Sequence, residues 1–464
     1  MQIFFLFPFL ETKFSLAFSL ETKKYKVLGM MKALCLLPRR RPPQSPTRPP
    51  VERGGGGGAK PKTAGRRRLG WKTKEKLLLS RERRGKGDVS TNIDGETRTV
   101  TNAPATATAV ELFSGIGGMR LALEESKAFK DDDATVARFI AIDNNVNAND
   151  VYKANFQSQK TNSLLIEGNI ENVDAKSLIL GEGGRCEILM MSPPCQPYTR
   201  KGKKEREKDA RSTALAFIID MFEDMDGVFD EDMRPKRILL ENVVGFELGA
   251  ERERFIRALK KKKYHVREFV GLSPETMLGV PVKRPRYYLL ARTEEFGRFD
   301  DDAPWMSQKG NVAMVENIAH YLDEDVEVGL EVERKKIEKY WKFFDIVNTS
   351  SSNDNLASTF TSGYGKTIFS GSFILFKDGE IAKRDVNAND AYRLVNDDDE
   401  NDEQFVERIS KSLRYFSPSE ICRLHGIRDS FVFPPSLSKR QRYKLIGNGV
   451  SVQVVAKLLE YLFK

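Results

Sequence analysis

The chain has 464 residues, of which 40% are hydrophobic, so it can bury one large or two ordinary cores and is no mini-protein. Four cysteines without a Cys-x-x-Cys pair and only three histidines argue against a disulfide framework and a structural zinc site, and favour a reducing compartment. The net charge of +10 is unevenly distributed, because residues 1–108 hold 23 Lys and Arg against 8 Asp and Glu, which leaves residues 109–464 with a net charge of −5. Electrostatic attraction to nucleic acid must therefore come from residues 1–108 and from local basic patches.

Residues 1–106 are predicted to form a basic, disordered extension. They contain two Pro-Pro pairs, five consecutive glycines at 54–58 and clusters of arginine, and such a composition buries too little apolar surface to order a chain. The apolar run at the start is too short to span a membrane. Three interpretations stay open: an organellar targeting sequence, a nucleic-acid-binding tail, or an upstream extension that the mature protein lacks, with a start at Met30 or Met31.

From residue 107, short apolar runs that end in polar or turn residues alternate with helical patterns. The clearest helical pattern covers 212–225, where apolar residues recur at helical spacing. Such a βαβ series predicts an α/β fold, with a mostly parallel, Rossmann-like sheet covered on both faces. The predicted strands are 109–113, 136–142, 187–191, 237–243 and 287–291.

The alternation lapses between about 300 and 410, where acidic clusters and polar stretches separate a few aromatic-rich pieces. We interpret 301–412 as an inserted smaller domain with long loops, within a main domain formed by 107–300 and 413–464. Regular structure resumes at Ser417-Pro-Ser-Glu420, which is a helix start with Ser at the N-cap, Pro in the first turn and Glu at the third position. An apolar helix is predicted from about 450 to 463.

A glycine-rich turn follows the first predicted strand. It reads Phe113-Ser-Gly-Ile-Gly-Gly118 and precedes a helix, so the backbone could approach a ligand closely, although an ordinary strand-helix turn explains this motif alone equally well. Asp143 ends the next strand 25 residues later, at a spacing where a carboxylate can accept the hydroxyls of a ribose. Arg120 and Leu121 replace the last glycine of the dinucleotide fingerprint, and no Walker Gly-Lys-Ser/Thr occurs. The pattern therefore favours a nucleoside site over a pyrophosphate cofactor or nucleotide hydrolysis.

A cysteine braced by two prolines follows the strand at 187–191. The prolines cannot extend a helix or a central strand, so Cys195 should lie at the carboxyl end of the strand and face the crevice of the sheet. The basic run Arg200–Lys208 would offer phosphate contacts beside the thiol. Taken alone, Pro-Pro-Cys fits an inert buried cysteine better than a nucleophile.

Further polar residues favour the catalytic interpretation of Cys195. Glu241 lies at the end of the following strand. Neighbouring parallel strands would place it beside Cys195, as a carboxyl proton donor next to a thiol nucleophile. A solvated carboxylate or a helix cap is the simpler alternative. Arg284 and Arg286 open another strand and could bind an anion or a carbonyl group, whereas most arginines in proteins are exposed surface residues.

In order, Phe-x-Gly-x-Gly, Pro-Pro-Cys-Gln, Glu-Asn-Val, Arg-Pro-Arg and a late Gly-Asn-Gly-Val resemble the motif set of the cytosine-5 methyltransferases. The likeness covers 107–300 and 413–464. Within that family the chain is most similar to the tRNA (aspartate) cytosine-5 methyltransferases, a branch historically grouped with DNA methyltransferases as type two. The strongest pointers are Met-Ser-Pro-Pro-Cys-Gln-Pro-Tyr-Thr-Arg, the segment that begins at Arg414 and the segment that begins at Lys439. The resemblance implies an S-adenosylmethionine-dependent methyltransferase sheet in which the insertion recognises the target.

By position, the resemblance implies that Cys195 is the nucleophile that adds to carbon 6 of cytosine. Glu241 would hold the proton on N3, and Arg284 or Arg286 would bind the base and stabilise the adduct. S-adenosylmethionine would be the co-substrate, without a metal. Its implied binding residues are Phe113, Ile116, Gly117, Gly118, Asp143, Ile170, Glu171, Ser192, Asn448 and Gly449.

The implied function is methylation of carbon 5 of cytosine in RNA, most typically in the anticodon loop of tRNA-Asp, by a cytoplasmic or nuclear enzyme or one directed to an organelle. The alternatives are a DNA cytosine-5 methyltransferase and a non-catalytic nucleic-acid-binding protein. Two residues depart from the family pattern: Thr359 stands where the branch has the cysteine of Cys-Phe-Thr, and Val282 stands where the wider family often has an amide. The first departure puts the substrate in doubt and the second the roles of the arginines.

Overall fold

The computed structural model describes the part of the chain that carries nearly all of the predicted site. The chain divides into units Met1–Thr97 and Arg98–Lys464, and every described residue belongs to the second. The predicted extension 1–106 therefore lies outside the described residues. These are 107–128, 136–157, 162–173, 185–194, 210–224, 234–300, 303, 305, 314–348, 356–375 and 402–464.

A seven-stranded sheet forms the centre of this unit, with the spatial order β3-β2-β1-β4-β5-β7-β6. Strands β1 to β5 are parallel, whereas β7 runs antiparallel to both β5 and β6. The prediction of an α/β fold with a mostly parallel sheet is confirmed. The strands are β1 (Ala107–Leu112), β2 (Val136–Asp143), β3 (Ser163–Glu167), β4 (Arg185–Met191), β5 (Arg237–Val243), β6 (Tyr264–Leu272) and β7 (Arg286–Thr293).

Sequence periodicity missed the two edge strands, β3 and β6. Neither is an apolar run: β3 has no fully buried residue, and most side chains of β6 are partly or fully exposed. Edge strands are buried on fewer sides than central ones, so polar residues interrupt the apolar pattern by which a strand is recognised.

Helices cover both faces of the sheet, as predicted. They are α1 (Gly118–Glu125), α2 (Val146–Phe156), α3 (Ala210–Glu223), α4 (Ala250–Lys261) and α5 (Pro274–Leu278). Alternate residues of β1 pack on opposite sides: Ala109 belongs to the apolar cluster that contains α1 and α2, and Val110 belongs to the cluster that contains α3 and α4. This alternation follows from the two-residue period of a strand.

A smaller unit follows the large sheet. Its three-stranded sheet consists of β8 (Ile346–Asn348), β9 (Phe373–Leu375) and β10 (Leu413–Tyr415), in the order β10-β9-β8. Helices α6 (Arg334–Tyr340) and α7 (Asp402–Ser410) pack with it around a separate apolar cluster that is rich in aromatic residues. Most of this cluster belongs to the predicted insertion 301–412, but strand β10 lies beyond its predicted end, and other residues of the insertion, such as Ile318 and Phe360, pack in the cluster of the large sheet.

The chain then returns to the large sheet through α8 (Pro418–Leu424), α9 (Lys439–Asn448) and α10 (Val452–Phe463). The predicted start of α8 is confirmed: the Ser417 hydroxyl accepts a hydrogen bond from the Glu420 amide, and the Ser417 amide donates to the Glu420 carboxylate. Helix α10 packs against α1, in the same apolar cluster. No described helix has both the length and the apolar character needed to cross a bilayer.

Glu420 holds the junction between β10 and α8, and its removal is expected to destabilise the fold. Its side chain is fully buried, forms two bonds of 2.8 Å with the Arg414 guanidinium, and accepts a third from the Asp323 amide at 3.0 Å. Glu420→Ala would take the carboxylate partner away from a buried arginine, so we expect it to lower the free energy of unfolding by about 3–5 kcal/mol.

Urea unfolding followed by circular dichroism would measure this loss. Glu338→Ala is the matched control, because it breaks an exposed ion pair with Arg334 and exposed pairs contribute little. Equal midpoints for the two variants would contradict a structural role for the Arg414–Glu420 pair.

Candidate active site

A cavity of about 870 Å³ lies at the carboxyl ends of the parallel strands β1, β2, β4 and β5, where the turn after α9 closes it. The structure brings together most of the residues that the sequence singled out. Those lining the cavity are Phe113, Ile116, Gly118, Asp143, Ile170, Glu171, Ser192, Glu241, Arg284, Arg286, Asn448 and Gly449. This is the position in which open α/β sheets commonly bind ligands.

Gly117 is the one described residue of the predicted cofactor set that does not line the cavity. It is the N-cap of α1 and has a left-handed backbone with φ of 88°. A Cβ atom at this position would lie 2.3 Å from the ring of Phe156. Gly117 therefore has a structural role in the turn, since only glycine fits both the backbone angle and the close approach of the ring.

Asp143 is held by the same turn. Its Oδ2 accepts a hydrogen bond of 2.8 Å from the Gly115 amide, and its Oδ1 accepts one of 2.7 Å from the Asn145 amide. Burial raises the pKa of Asp143, and these amide donors oppose the rise. Each carboxylate oxygen can accept a further bond, so contact with ribose hydroxyls stays a prediction that this geometry permits.

Glu111 also lines the cavity, and the sequence analysis did not select it. Its Oε1 accepts a bond of 3.2 Å from the Met119 amide, whereas its buried Oε2 has no partner among the described residues. Burial raises the pKa of Glu111 to about 8. The sequence signal that could have identified Glu111 is a single carboxylate within the largely apolar strand β1. An orphaned carboxyl oxygen near Asp143 fits a ligand that carries both amino and hydroxyl groups, as S-adenosylmethionine does.

Glu241 and Arg286 form an ion pair at the cavity wall. The Arg286 Nε lies 3.1 Å from the Glu241 Oε1, and the side chains are 14% and 10% exposed. Burial raises the pKa of Glu241, while the positive charges of Arg286 and Arg284 oppose this rise. Glu241 therefore keeps a proton more readily than an exposed glutamate, which suits a group that donates a hydrogen bond to a base.

Arg284 has a different set of hydrogen-bond partners. Its Nη1 donates to the Phe360 carbonyl at 3.0 Å, and its Nη2 donates to the Gly447 carbonyl at 3.2 Å and to the Gly449 carbonyl. Burial, together with the positive charge of the nearby Arg286, lowers the pKa of Arg284 to about 9. The two arginines, which the sequence treated as alternatives for one role, therefore have different surroundings.

Cys195 and the basic run Arg200–Lys208 lie outside the described residues. The chain can be followed to Pro194, which lines the cavity together with Pro193. The Asn242 side chain donates to the Pro193 carbonyl at 3.3 Å, and this bond fixes the end of β4 beside β5. The position of the thiol relative to Glu241 therefore stays a prediction.

The two departures from the family pattern lie close together. The Thr359 hydroxyl donates to the Lys283 carbonyl at 2.7 Å, and Val282 forms a β-bridge with Ala357. Both residues thus attach the segment before Arg284 to the strand-like segment that leads to Phe360. Within the described part of the chain, no group of three or more His, Cys, Asp or Glu side chains could hold a metal ion.

Residues 107–464 match the family described as C-5 cytosine-specific DNA methylase. A tRNA (cytosine(38)-C(5))-methyltransferase of Spodoptera frugiperda is 34% identical over 361 residues, which cover 76% of this chain and 98% of that protein. A DNA (cytosine-5)-methyltransferase of Dictyostelium discoideum is 29% identical over 395 residues and is covered to 93% of its length. The solved structure of the Entamoeba histolytica methyltransferase EhMeth is 28% identical with a TM-score of 0.60, over 77% of this chain and 98% of that one.

The raised pKa of Glu111 predicts a pH-dependent effect on stability. A carboxyl group with a pKa of about 8 in the folded state and 4.5 otherwise binds its proton more tightly when folded, so stability falls as pH rises from about 4.5 to 8. Glu111→Gln has no ionisable group at this position, so its stability does not fall for this reason as pH rises. The stability of the variant relative to wild type should therefore improve by on the order of a few kcal/mol between about pH 5 and pH 8.

Urea unfolding of both proteins at the two pH values would measure the trend. Glu338→Gln, which removes an exposed carboxyl group, is the matched control. A constant difference between Glu111→Gln and wild type would mean that Glu111 is ionised in the folded protein at neutral pH.

Proposed function

The chain belongs to the C-5 cytosine-specific DNA methylase family and is an S-adenosylmethionine-dependent cytosine-5 methyltransferase, and we propose that its substrate is a cytosine of tRNA. The observation that carries the cytosine part of this proposal is the Glu241–Arg286 pair, because it lines the same cavity as the glycine turn and Asp143. A group that can hold a proton on a pyrimidine ring thus lies beside a candidate nucleoside-binding wall.

The similarity to tRNA methyltransferases supports RNA as the substrate. The name of the Spodoptera frugiperda protein specifies cytosine 38 of tRNA, and 98% of that protein aligns with this chain. We propose the anticodon loop of tRNA-Asp as the target. A cytosine in a loop is unstacked at lower cost than one in a duplex, and the enzyme must reach the face of the ring.

Positive charge on α9 supports a polyanionic partner. Arg440 and Lys444 are exposed, and with the exposed Asn448 they recur every four residues, so the three lie on one face of the helix. Asn448 lines the cavity. A nucleic acid that bound along this face would have its phosphates neutralised on the approach to the site.

S-adenosylmethionine supplies the methyl group in this family. We propose that Phe113, Asp143, Glu171 and Asn448 hold it, with the other cavity-lining residues predicted from the sequence. The carboxyl groups of Glu111 and Asp143 both line this cavity and can accept hydrogen bonds from amino and hydroxyl groups.

The catalytic roles follow from the chemistry of the residues. Cys195 as a thiolate would add to carbon 6 of cytosine, while the protonated Glu241 would hold N3 and Arg286 would keep Glu241 in place. The addition makes carbon 5 nucleophilic enough to take a methyl group. Loss of the proton from carbon 5 and departure of the Cys195 sulfur would then restore the aromatic ring.

The domain assignment completes the proposal. Residues 107–300 and 413–464 would form the catalytic domain, 301–412 would recognise the target, and 1–106 would add charge for binding nucleic acid. The low cysteine content supports a cytoplasmic or nuclear location.

A DNA substrate is the second candidate. It is supported by the similarity to the Dictyostelium discoideum protein, whose name specifies DNA, and by the presence of Thr359 in place of the cysteine of the tRNA branch. The two candidates share the chemistry and differ in the nucleic acid that is bound.

A transfer assay with labelled S-adenosylmethionine distinguishes these substrates. Unmodified tRNA and duplex DNA would be offered in parallel to wild type, Cys195→Ala and Cys422→Ala. We expect label in tRNA with wild type and with Cys422→Ala, whose thiol is buried in α8, and none with Cys195→Ala. Binding of S-adenosylmethionine should survive in Cys195→Ala. Label in DNA alone would support the second candidate, and full activity of Cys195→Ala would exclude the cysteine mechanism.

The raised pKa of Glu241 predicts the pH dependence of the methylation rate. If protonated Glu241 holds N3, the rate should fall as pH rises through this pKa, after an ascending limb from ionisation of Cys195. Glu241→Gln should lose only the descending limb, since its amide donates at every pH. Glu241→Ala should lower the rate by about 100-fold or more. Rate profiles under single-turnover conditions would test this, and a descending limb that persists in Glu241→Gln would assign it to another group.

A further inference from the structure

We propose that Arg284 is a positioning residue that holds the wall of the cofactor site, and that it does not bind the cytosine. The wall is the closing loop, residues 447–450, which comprises the last two residues of α9 and the two that follow it and lines the cavity. The inference goes beyond the proposed function and rests on it only for the identity of the cofactor. It separates Arg284 from Arg286, which are two residues apart in sequence.

The guanidinium of Arg284 joins two segments that are distant in sequence. One is the recognition segment, residues 356–361, whose Phe360 carbonyl accepts from Nη1. The other is the closing loop, whose carbonyls at Gly447 and Gly449 accept from Nη2. With 2% of its surface exposed, Arg284 has little room to bind a ligand. Both terminal nitrogens are already committed to carbonyl groups, which leaves base recognition to Arg286.

The end of α9 needs such a donor. Carbonyl groups in the last turn of a helix have no partner within the helix, and the helix dipole favours a positive charge there. Gly447 lies in the last turn of α9 and Gly449 is its C-cap. A planar guanidinium can serve both carbonyls at once and also reach Phe360, whereas an ammonium group on a flexible stem cannot match this fork.

The geometry of the closing loop decides the shape of the cofactor site. Asn448 lies between the two carbonyls that Arg284 fixes, and Val450 lies so close to α1 that a Cβ atom on Gly118 would be 3.0 Å from its Cγ2. Gly447 packs even more closely on the recognition segment, since a Cβ atom there would lie 2.4 Å from the carbonyl carbon of Thr361. Displacement of the loop would therefore widen the cofactor site while leaving Glu241 and Arg286 paired.

Arg284→Met and Arg284→Lys test the proposal against Arg286→Lys. We expect the Kd for S-adenosylmethionine, measured by calorimetry on the protein without nucleic acid, to rise by about tenfold or more in Arg284→Met. The rise should be smaller in Arg284→Lys, which keeps the charge and one donor. The single-turnover rate of both variants at saturating S-adenosylmethionine should recover to near the wild-type rate. Arg286→Lys should show the opposite pattern, with an unchanged Kd and a reduced saturated rate.

Two results would overturn the proposal. One is a wild-type Kd with a reduced saturated rate in the Arg284 variants, which would assign Arg284 to the base. The other is unchanged hydrogen exchange of the amides of residues 447–452 in Arg284→Lys, since loss of the fork should expose them faster. The exchange measurement needs only a folded protein and remains decisive if Arg284→Met does not fold. Loss of methyl transfer in wild type itself would refute the proposed function but not this binding role.

Discussion

The direction of the strands determines which residues can meet in the cavity. Because β1, β2, β4 and β5 are parallel, their carboxyl ends share one edge of the sheet. The glycine turn, Asp143 and Glu241 lie at the ends of these strands and therefore meet at that edge. Strand β7 is antiparallel to β5, so its beginning reaches the same edge, with Arg286 opposite Val243. One reversed strand thus brings a cation beside a carboxyl group that a fully parallel sheet would have kept apart.

Much of this arrangement could be predicted from local sequence. Central strands are continuous apolar runs because both of their faces are buried. Polar residues therefore occur where such a run ends, and these strand ends line the cavity. Glu111 escaped notice since a carboxyl group inside an apolar strand is recognisable only when its surroundings are known. Gly117 remains a predicted cofactor residue, but the structural reason for a glycine there is the ring of Phe156, which a local motif does not reveal.

The different surroundings of the two arginines could not be predicted. The partners of Arg284 lie 76, 163 and 165 residues away in sequence, and a short motif contains no information about such contacts. Thr359 and Val282 illustrate the same limit. In the sequence, one departure concerns the substrate and the other an arginine, yet both residues attach the chain just before Arg284 to the segment before Phe360. Their effects are therefore expected to be coupled.

The packing of α10 against α1 has a consequence for how the molecule is made. These helices lie near opposite ends of the described unit, and α10 belongs to the same apolar cluster as the helix that follows the glycine turn. Contacts between segments so distant form late, because closing a long loop costs entropy before any contact compensates for it. On the ribosome, the sheet could begin to assemble while the cofactor wall was still being synthesised. Apolar surface on α1 would stay uncovered during that interval, which makes this helix a natural site for a chaperone to bind.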